Sequence, residues 1–186
     1  VFTFHDRQKT IFSGNDSVAN GKFHVSFVVP YDLSYGGSGQ VLAFAKSDDL
    51  ATIAHGCTDA IVLGDGDIQK TDTVGPKIFC YLNSPEFVNG DDVNTSPYFV
   101  AQLSDDSGIN ATGNGVGHNL ELVVDGDANK TYDLNDNFAY DFASHTAGTT
   151  SYTLPTLEPG THTLRFRAWD TMNNSSTAML SFNVVK

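Results

Sequence analysis

Two cysteines are the residues of this sequence that could carry nucleophilic chemistry. Cys57 lies two residues after His55 in "AHGC", and residues i and i+2 of an extended chain share a face. A working thiolate also needs an orienting third group and an oxyanion hole, and the flanking sequence supplies neither a glycine-rich elbow nor a helix start. Cys80 shares one face of a predicted strand with Ile78 and Leu82 in "KIFCYL", which indicates a core position. We therefore predict no catalytic residue here, and a Cys57–Cys80 disulfide stays open.

Calcium is the stronger chemical candidate, because one acidic stretch supplies several oxygen ligands at regular spacing. "DGDANKTYDLND", residues 125–136, approaches the ligand spacing of an EF-hand loop. However, Lys130 occupies the position where the sharp turn requires glycine, and no glutamate closes the loop. The alternative is a polar hairpin loop with an Asp-Gly turn and no cofactor at all. The predicted calcium ligands are Asp125, Asp127, Asn129 and Asp136.

Two further acidic clusters each follow a predicted strand. "SDDSG" contains Asp105 and Asp106, and "AWDTMNN" contains Asp170 and Asn173. Strand ends of a sandwich meet in space, so a cation site shared between the two clusters is a further hypothesis. Ordinary solvated turns are the alternative.

Composition limits the classes of function that the chain can have. The 186 residues carry 22 acidic and 10 basic side chains, a formal charge of -12. Such a surface repels phosphate backbones and anionic lipids, which argues against nucleic-acid binding and membrane-surface roles. No apolar run reaches the roughly 20 residues that span a bilayer, so we expect no direct membrane insertion. The chain opens without methionine on "VFTFHD", and we interpret it as a piece of a longer protein.

The elements that must position these residues are short alternating strands, which is typical of antiparallel β-proteins. "GDGDIQKTDTVGP", residues 64–76, is polar, lacks alternation and is interpreted as a linker. We predict an all-β fold of two tandem immunoglobulin-like β-sandwich domains, residues 1–70 and 71–186, the first lacking its initial strands. The predicted strands of the first domain are "KFHVSFVVP", "GQVLAFAKS" and "DAIVLGD". Those of the second are "KIFCYLN", "YFVAQLSD", "NLELVVDG", "FAYDF", "SYTLPTL", "THTLRFRAW" and "MLSFNVV".

A glycine-rich stretch precedes one of these strands. "GINATGNGVGHN", residues 108–119, holds four glycines and three asparagines. We expect the glycines to permit positive φ in a loop that reverses the chain. The alternative is a partner-binding loop in which Asn114 and His118 make the contacts. Trp169, at the end of "THTLRFRAW", is expected to cover the rim of the sandwich, and a sugar-stacking role is the alternative.

Three stretches carry a resemblance to a known family. They are "NDSVANGKFHVSFVVPYDLSYGGSGQV", "GINATGNGVGHNLELVVDG" and "LEPGTHTLRFRAWDTMNNSS". The sequence resembles, from about residue 2 to residue 185, the region after the protease domain of gingipain-type cysteine peptidases. Its nearest likeness is to the sortase-like members that serve the type IX secretion system of Bacteroidetes.

The resemblance implies an exported protein of the bacterial cell surface, at the outer membrane, that trims secretion signals and attaches cargo to lipopolysaccharide. It places the catalytic cysteine and histidine upstream of this sequence and a secretion-signal domain downstream. The partners implied are the protein's own protease domain, outer-membrane subunits of the secretion system, and cargo. The competing hypothesis is a stand-alone adhesin or carbohydrate-binding sandwich with loop calcium.

Overall fold

Strands dominate the part of the chain that the computed structural model describes, which is residues 10–33, 38–62, 64, 72–113 and 115–186. Within those residues one helix appears, a 3-10 turn at Ala128–Lys130, and it is too short to cross a membrane. The all-β prediction is confirmed. In chain order the strands are β1 (Ser38–Lys46), β2 (Ile53–Val62), β3 (Lys77–Leu82), β4 (Asp92–Val93), β5 (Tyr98–Ser104), β6 (Glu121–Val124), β7 (Thr131–Asp133), β8 (Ala139–Tyr140), β9 (Ala147–Thr153), β10 (Gly160–Trp169) and β11 (Ser175–Val184).

Two sheets pack face to face over residues 72–186. One has the order β4-β11-β10-β6-β7 and the other the order β3-β5-β9-β8. Their inner faces share one apolar core, in which the rings of Phe99 and Phe166 lie 5.3 Å apart. Burial of alternate side chains stabilises both sheets at once, since each strand presents every second residue to the other sheet. This part of the chain is a two-sheet β-sandwich.

Strand β10 has one face buried in the core and one face partly exposed to solvent, as its alternating sequence predicts. Leu164 and Phe166 are each 1% exposed and Ala168 is fully buried. On the opposite face, Arg165 and Arg167 reach the carboxylate of Glu121, with nitrogen–oxygen distances of 2.8 and 3.3 Å. The alternation predicted for this strand is confirmed.

One predicted strand is wrong. Residues 22–30, "KFHVSFVVP", are extended but belong to no sheet, and only Lys22 forms a bridge, to Ala19 across an Asn20-Gly21 turn. Three of the apolar residues that suggested a buried face are open to solvent, since Phe23, Val25 and Phe27 are 58%, 43% and 40% exposed. Alternation alone therefore predicted an element that has no neighbouring strand among the described residues. We call residues 10–33 the N-terminal arm.

Strands β1 and β2 form a two-stranded antiparallel hairpin outside the sandwich sheets. Leu42, Phe44 and Ile53 are 72%, 69% and 62% exposed. Residues 10–62 contain no second sheet in the part that the structure describes, so an N-terminal sandwich remains a prediction. Most of the predicted linker, residues 65–71, lies outside the described residues, while Pro76 at its end is buried.

Candidate functional site

Three carboxylates meet at one rim of the sandwich. Asp105 follows β5, Asp170 follows β10, and Asp72 lies shortly before β3; an oxygen from each lies within 4.8 Å of the other two. The two strand ends are joined by the bridge between Ile109 and Asp170 and by the Thr171 N–H donating to the Gly108 carbonyl. The structure thus brings Asp105 and Asp170 together, as the shared-site hypothesis expects, and adds Asp72.

Asp170 is fully buried and is built into the turn between β10 and β11. Its Oδ1 accepts hydrogen bonds from the backbone N–H groups of Met172 (2.9 Å) and Asn174 (2.7 Å). Its Oδ2 accepts from the side-chain amide of Asn174 at 2.7 Å. Asn173, which the sequence placed in this cluster, sits at the top of the turn with φ of 63°. These donors satisfy both oxygens of the buried carboxylate.

The other two carboxylates, those of Asp105 and Asp72, both accept hydrogen bonds from Ser107 in the loop after β5. The backbone N–H of Ser107 donates to Asp105 at 2.8 Å, and its hydroxyl donates to Asp72. Burial raises the pKa of Asp105 to about 6; the Ser107 N–H opposes that rise, and the charges of Asp170, Asp72 and Asp106 add to it. Three converging carboxylates are the ligand chemistry of a hard divalent cation such as calcium. Without a cation, the same arrangement costs stability through like-charge repulsion.

The four predicted calcium ligands do not converge on a single site. Asp127 caps the 3-10 helix by accepting from the Asn129 N–H at 2.9 Å. Strand β7 follows immediately, so Asp136 lies beyond a strand and not in the same loop. The structure does not bring the carboxylates of Asp125, Asp127 and Asp136 within 4.8 Å of one another. Residues 125–130 connect β6 to β7, and the rest of the stretch is β7 and the three residues after it.

Asp125 instead pairs with His162. His162 Nδ1 lies 2.8 Å from the Asp125 carboxylate, and Nε2 lies 2.8 Å from the Glu158 carbonyl. Burial alone would lower the pKa of His162, but the bonds to Glu158 and Asp125 outweigh it and raise that pKa. Burial would likewise raise the pKa of Asp125, and the Thr163 N–H, His162 and Lys130 bring it below its usual value. This pair fastens the β6–β7 turn to β10.

The glycine-rich stretch folds against the N-terminal arm. His118 Nδ1 lies 2.7 Å from the carboxylate of Asp32, and the side-chain amide of buried Asn110 donates to the same carboxylate at 3.2 Å. A Cβ at Gly115 would overlap the side chains of both Asp32 and His118, so glycine permits this close approach. Gly108, Gly113 and Gly117 have positive φ, as expected for a chain reversal. We call the Asp32–Asn110–His118 contact the arm latch.

Of the two partner-binding candidates in this loop, His118 and Asn114, the structure describes only His118. His118 is held in the arm latch and stacks on Trp169, with ring centroids 4.0 Å apart. Trp169 is half-buried beneath His118 and the guanidinium of Arg167, so it covers the rim of the sandwich. Asn114 lies outside the described residues. Sequence reasoning missed Asp32, because nothing in its local pattern indicates a partner 86 residues away.

The two thiols are free and occupy very different surroundings. Cys57 is exposed on β2, where it and His55 project from the hairpin opposite Leu42 and Phe44. Cys80 packs against the sandwich core, and burial raises the pKa of its thiol to about 11. At neutral pH Cys80 is therefore protonated and unreactive. The expected core position of Cys80 is confirmed, whereas Cys57 lies on a strand and not in the expected loop.

This all-β sandwich is similar in sequence and structure to a protein of known structure. No family model and no curated protein sequence matches the chain. Dimeric latent PorU from Porphyromonas gingivalis matches at 38% identity with a TM-score of 0.61, over 86% of this chain and 15% of the PorU chain. The chain is PorU-like over the matched residues, and it spans about a seventh of the length of PorU.

Two other solved structures match less closely. An endo-beta-1,4-mannanase from Thermotoga petrophila matches at 11% identity and a TM-score of 0.38, over 59% of this chain and 20% of the mannanase. CopC from Methylosinus trichosporium OB3b matches at 16% identity and a TM-score of 0.29, over 56% of this chain and 92% of CopC. Both scores are too low to support a functional comparison.

Proposed function

We propose that this chain is the non-catalytic β-sandwich region of a larger, exported cysteine peptidase of the gingipain type, a PorU-like sortase of type IX secretion at the bacterial cell surface. The similarity to PorU supports the relationship. The partly buried, protonated Cys80 and the exposed position of Cys57 agree with catalysis elsewhere in the polypeptide. In this proposal the sandwich supports the protease domain and presents surfaces to partners.

The observation that most supports this proposal is the exposure of apolar side chains on the hairpin. Leu42, Phe44 and Ile53 project from a two-stranded sheet, and such a hairpin is at best marginally stable alone in water. Surfaces of this kind mark contacts with other protein. We infer that the hairpin and the arm pack against the parent polypeptide, with the protease domain as the first partner. The PorU structure is described as dimeric and latent, so a second copy is another candidate cover, and secretion-system subunits or cargo are others.

Peptidase assays on the parent protein and on the isolated chain test this proposal. The isolated chain is expected to fold and to cleave no secretion-signal peptide, while the parent carrying Cys57→Ala keeps its full activity. Thiol-dependent cleavage by the isolated chain, lost in Cys57→Ala, would contradict it.

Substitution of the hairpin tests its docking role in the same parent protein. Phe44→Ser is expected to lower the melting temperature of the parent, because it removes an apolar contact with the covering surface. Phe142→Ser is the matched control, since Phe142 is 67% exposed against 69% for Phe44 and lies in a sandwich turn. Equal effects of the two substitutions would argue against a docked hairpin.

A second candidate function, a binding module with loop calcium, draws on the Asp72–Asp105–Asp170 cluster alone. Under this candidate, calcium raises the melting temperature of the chain, and Asp105→Asn removes most of that rise while Asp106→Asn does not. Titration calorimetry with calcium measures the same event directly. A melting temperature that is independent of calcium would exclude this function.

A further inference from the structure

The outer face of the sheet β3-β5-β9-β8 combines exposed aromatic rings with uncharged polar side chains. Phe79 is 52% exposed and Tyr98 is 44% exposed, and the rings of Phe79 and Tyr81 lie 5.6 Å apart. These side chains face outward because Ile78, Cys80 and Leu82, which alternate with them on β3, pack on the core. We call this outer surface the aromatic face.

Strand pairing fixes which polar groups border the rings. Phe79 is opposite Gln102, and Gln102 is opposite Thr149. Tyr81 is opposite Val100, which lies on the same outer side of the sheet and is only 8% exposed. The Tyr98 hydroxyl donates to the Ser151 hydroxyl at 2.7 Å, which fixes that ring on the sheet. The rings are thus surrounded by amide and hydroxyl groups that both donate and accept hydrogen bonds.

Charge is almost absent from the aromatic face. Its outward strand residues include no carboxylate, although the whole chain has 22 Asp and Glu residues, and its one charged strand residue is Lys77 at the start of β3. An anionic polymer would find a single cation here, and a cationic partner would find no acid. The face therefore matches an uncharged ligand.

We propose that the aromatic face binds a neutral glycan chain. Sugar rings have apolar C–H faces that pack on aromatic rings, and hydroxyl rims that exchange hydrogen bonds with Gln, Ser and Thr. A flat sheet surface accommodates an extended chain better than a compact ligand. Protein interfaces, by contrast, are depleted in serine among their energetically dominant residues, and hydroxyl residues line this face. The proposal is independent of the carboxylate cluster and of the function proposed above.

Affinity electrophoresis of the full chain through gels containing dextran, glucomannan or xylan tests the proposal, with alginate as the anionic comparison. At least one neutral polysaccharide is expected to retard the chain and alginate is not. Phe79→Ala is expected to weaken the retardation about fivefold or more, as the loss of one stacked ring implies. Phe142→Ala, which removes an exposed phenylalanine from a turn outside the face, is expected to leave it unchanged.

Four results would overturn the proposal. They are no retardation by any neutral polysaccharide, retardation by alginate alone, equal weakening by Phe142→Ala, and self-association in sedimentation velocity that Phe79→Ala abolishes. The last result would identify the face as a protein interface. Circular dichroism of both variants verifies that they fold, which is expected because both rings are more than half exposed.

Discussion

At the residue scale, the Asp72–Asp105–Asp170 cluster concentrates like charge at one rim of the sandwich. The donors around Asp170 are two backbone N–H groups and an asparagine amide. Burial raises the pKa of Asp105 to about 6, and the charges of Asp170, Asp72 and Asp106 add to that rise. A folded-state pKa above the ordinary 3.8 means that folding favours the protonated form. The contribution of Asp105 to stability is therefore fully present at low pH and is lost as the pH rises through about 6.

Asp105→Asn is expected to stabilise the chain in a chelating buffer at neutral pH. The amide removes one charge and keeps an oxygen that accepts the Ser107 N–H. We expect the melting temperature to rise by about 2–5 °C at neutral pH, and the difference from the native chain to vanish as the pH falls below the pKa of Asp105. Differential scanning calorimetry across that range, with Asp106→Asn as the control, measures the effect. A gain that is independent of pH would contradict the assignment of the raised pKa.

Sequence alone could predict part of this rim and not the rest. Asp105 and Asp170 each follow a strand with clear alternation, and ends of packed strands meet, so their proximity followed from the pattern. Asp72 lies in a polar stretch without periodicity, and Asp32 lies in an arm that belongs to no sheet. Their positions depend on long-range packing, which no local pattern encodes.

At the element scale, the loop of residues 108–119 joins the sandwich to the N-terminal arm. Its glycines serve two different physical needs: three adopt positive φ, and Gly115 allows close approach of Asp32 and His118. The loop reverses the chain and also anchors the arm, while its use in binding a partner remains a prediction.

Gly115→Ala is expected to open the arm latch. The added methyl group overlaps Asp32 and His118, and such overpacking costs about 1–3 kcal/mol of the free energy of unfolding. Trp169 is the only tryptophan in the chain and stacks on His118, so its fluorescence emission is expected to shift to longer wavelength. Gly56→Ala is the control, since a Cβ there meets no atom within 4 Å. An unchanged emission spectrum would show that the latch does not depend on Gly115.

The strands of the sandwich were predictable where the alternation was long. All seven predicted strands of residues 71–186 appear, but β9 (Ala147–Thr153) covers only the start of its predicted range, 151–157, and β11 begins at Ser175, before its predicted start at Met179. The missed strands β4 and β7 contain only two and three residues, too few to show a period. The wrong strand at 22–30 has the right pattern and no partner strand among the described residues, because alternation reports local amphipathicity and not pairing.

At the scale of the whole molecule, residues 72–186 form a sandwich with a buried core, and the described part of residues 10–62 contributes the arm and the exposed hairpin. Residues 72–186 bury Phe99, Phe166 and Phe182 completely or nearly so, while the hairpin leaves Leu42 and Phe44 mostly exposed. An exposed apolar hairpin costs stability unless other protein covers it. The PorU chain, of which this sequence matches 15%, is long enough to provide such a cover.

Hydrogen exchange of the hairpin tests this account most directly, with the isolated chain and the proposed parent peptidase compared under the same conditions. In the isolated chain, amides of β1 and β2 are expected to exchange at least about a hundredfold faster than those of β10, because little buried surface protects them. In the parent, the hairpin amides are expected to become protected while those of β10 stay as slow as before. Hairpin amides as slow as β10 in the isolated chain, or equally fast in both proteins, would contradict it.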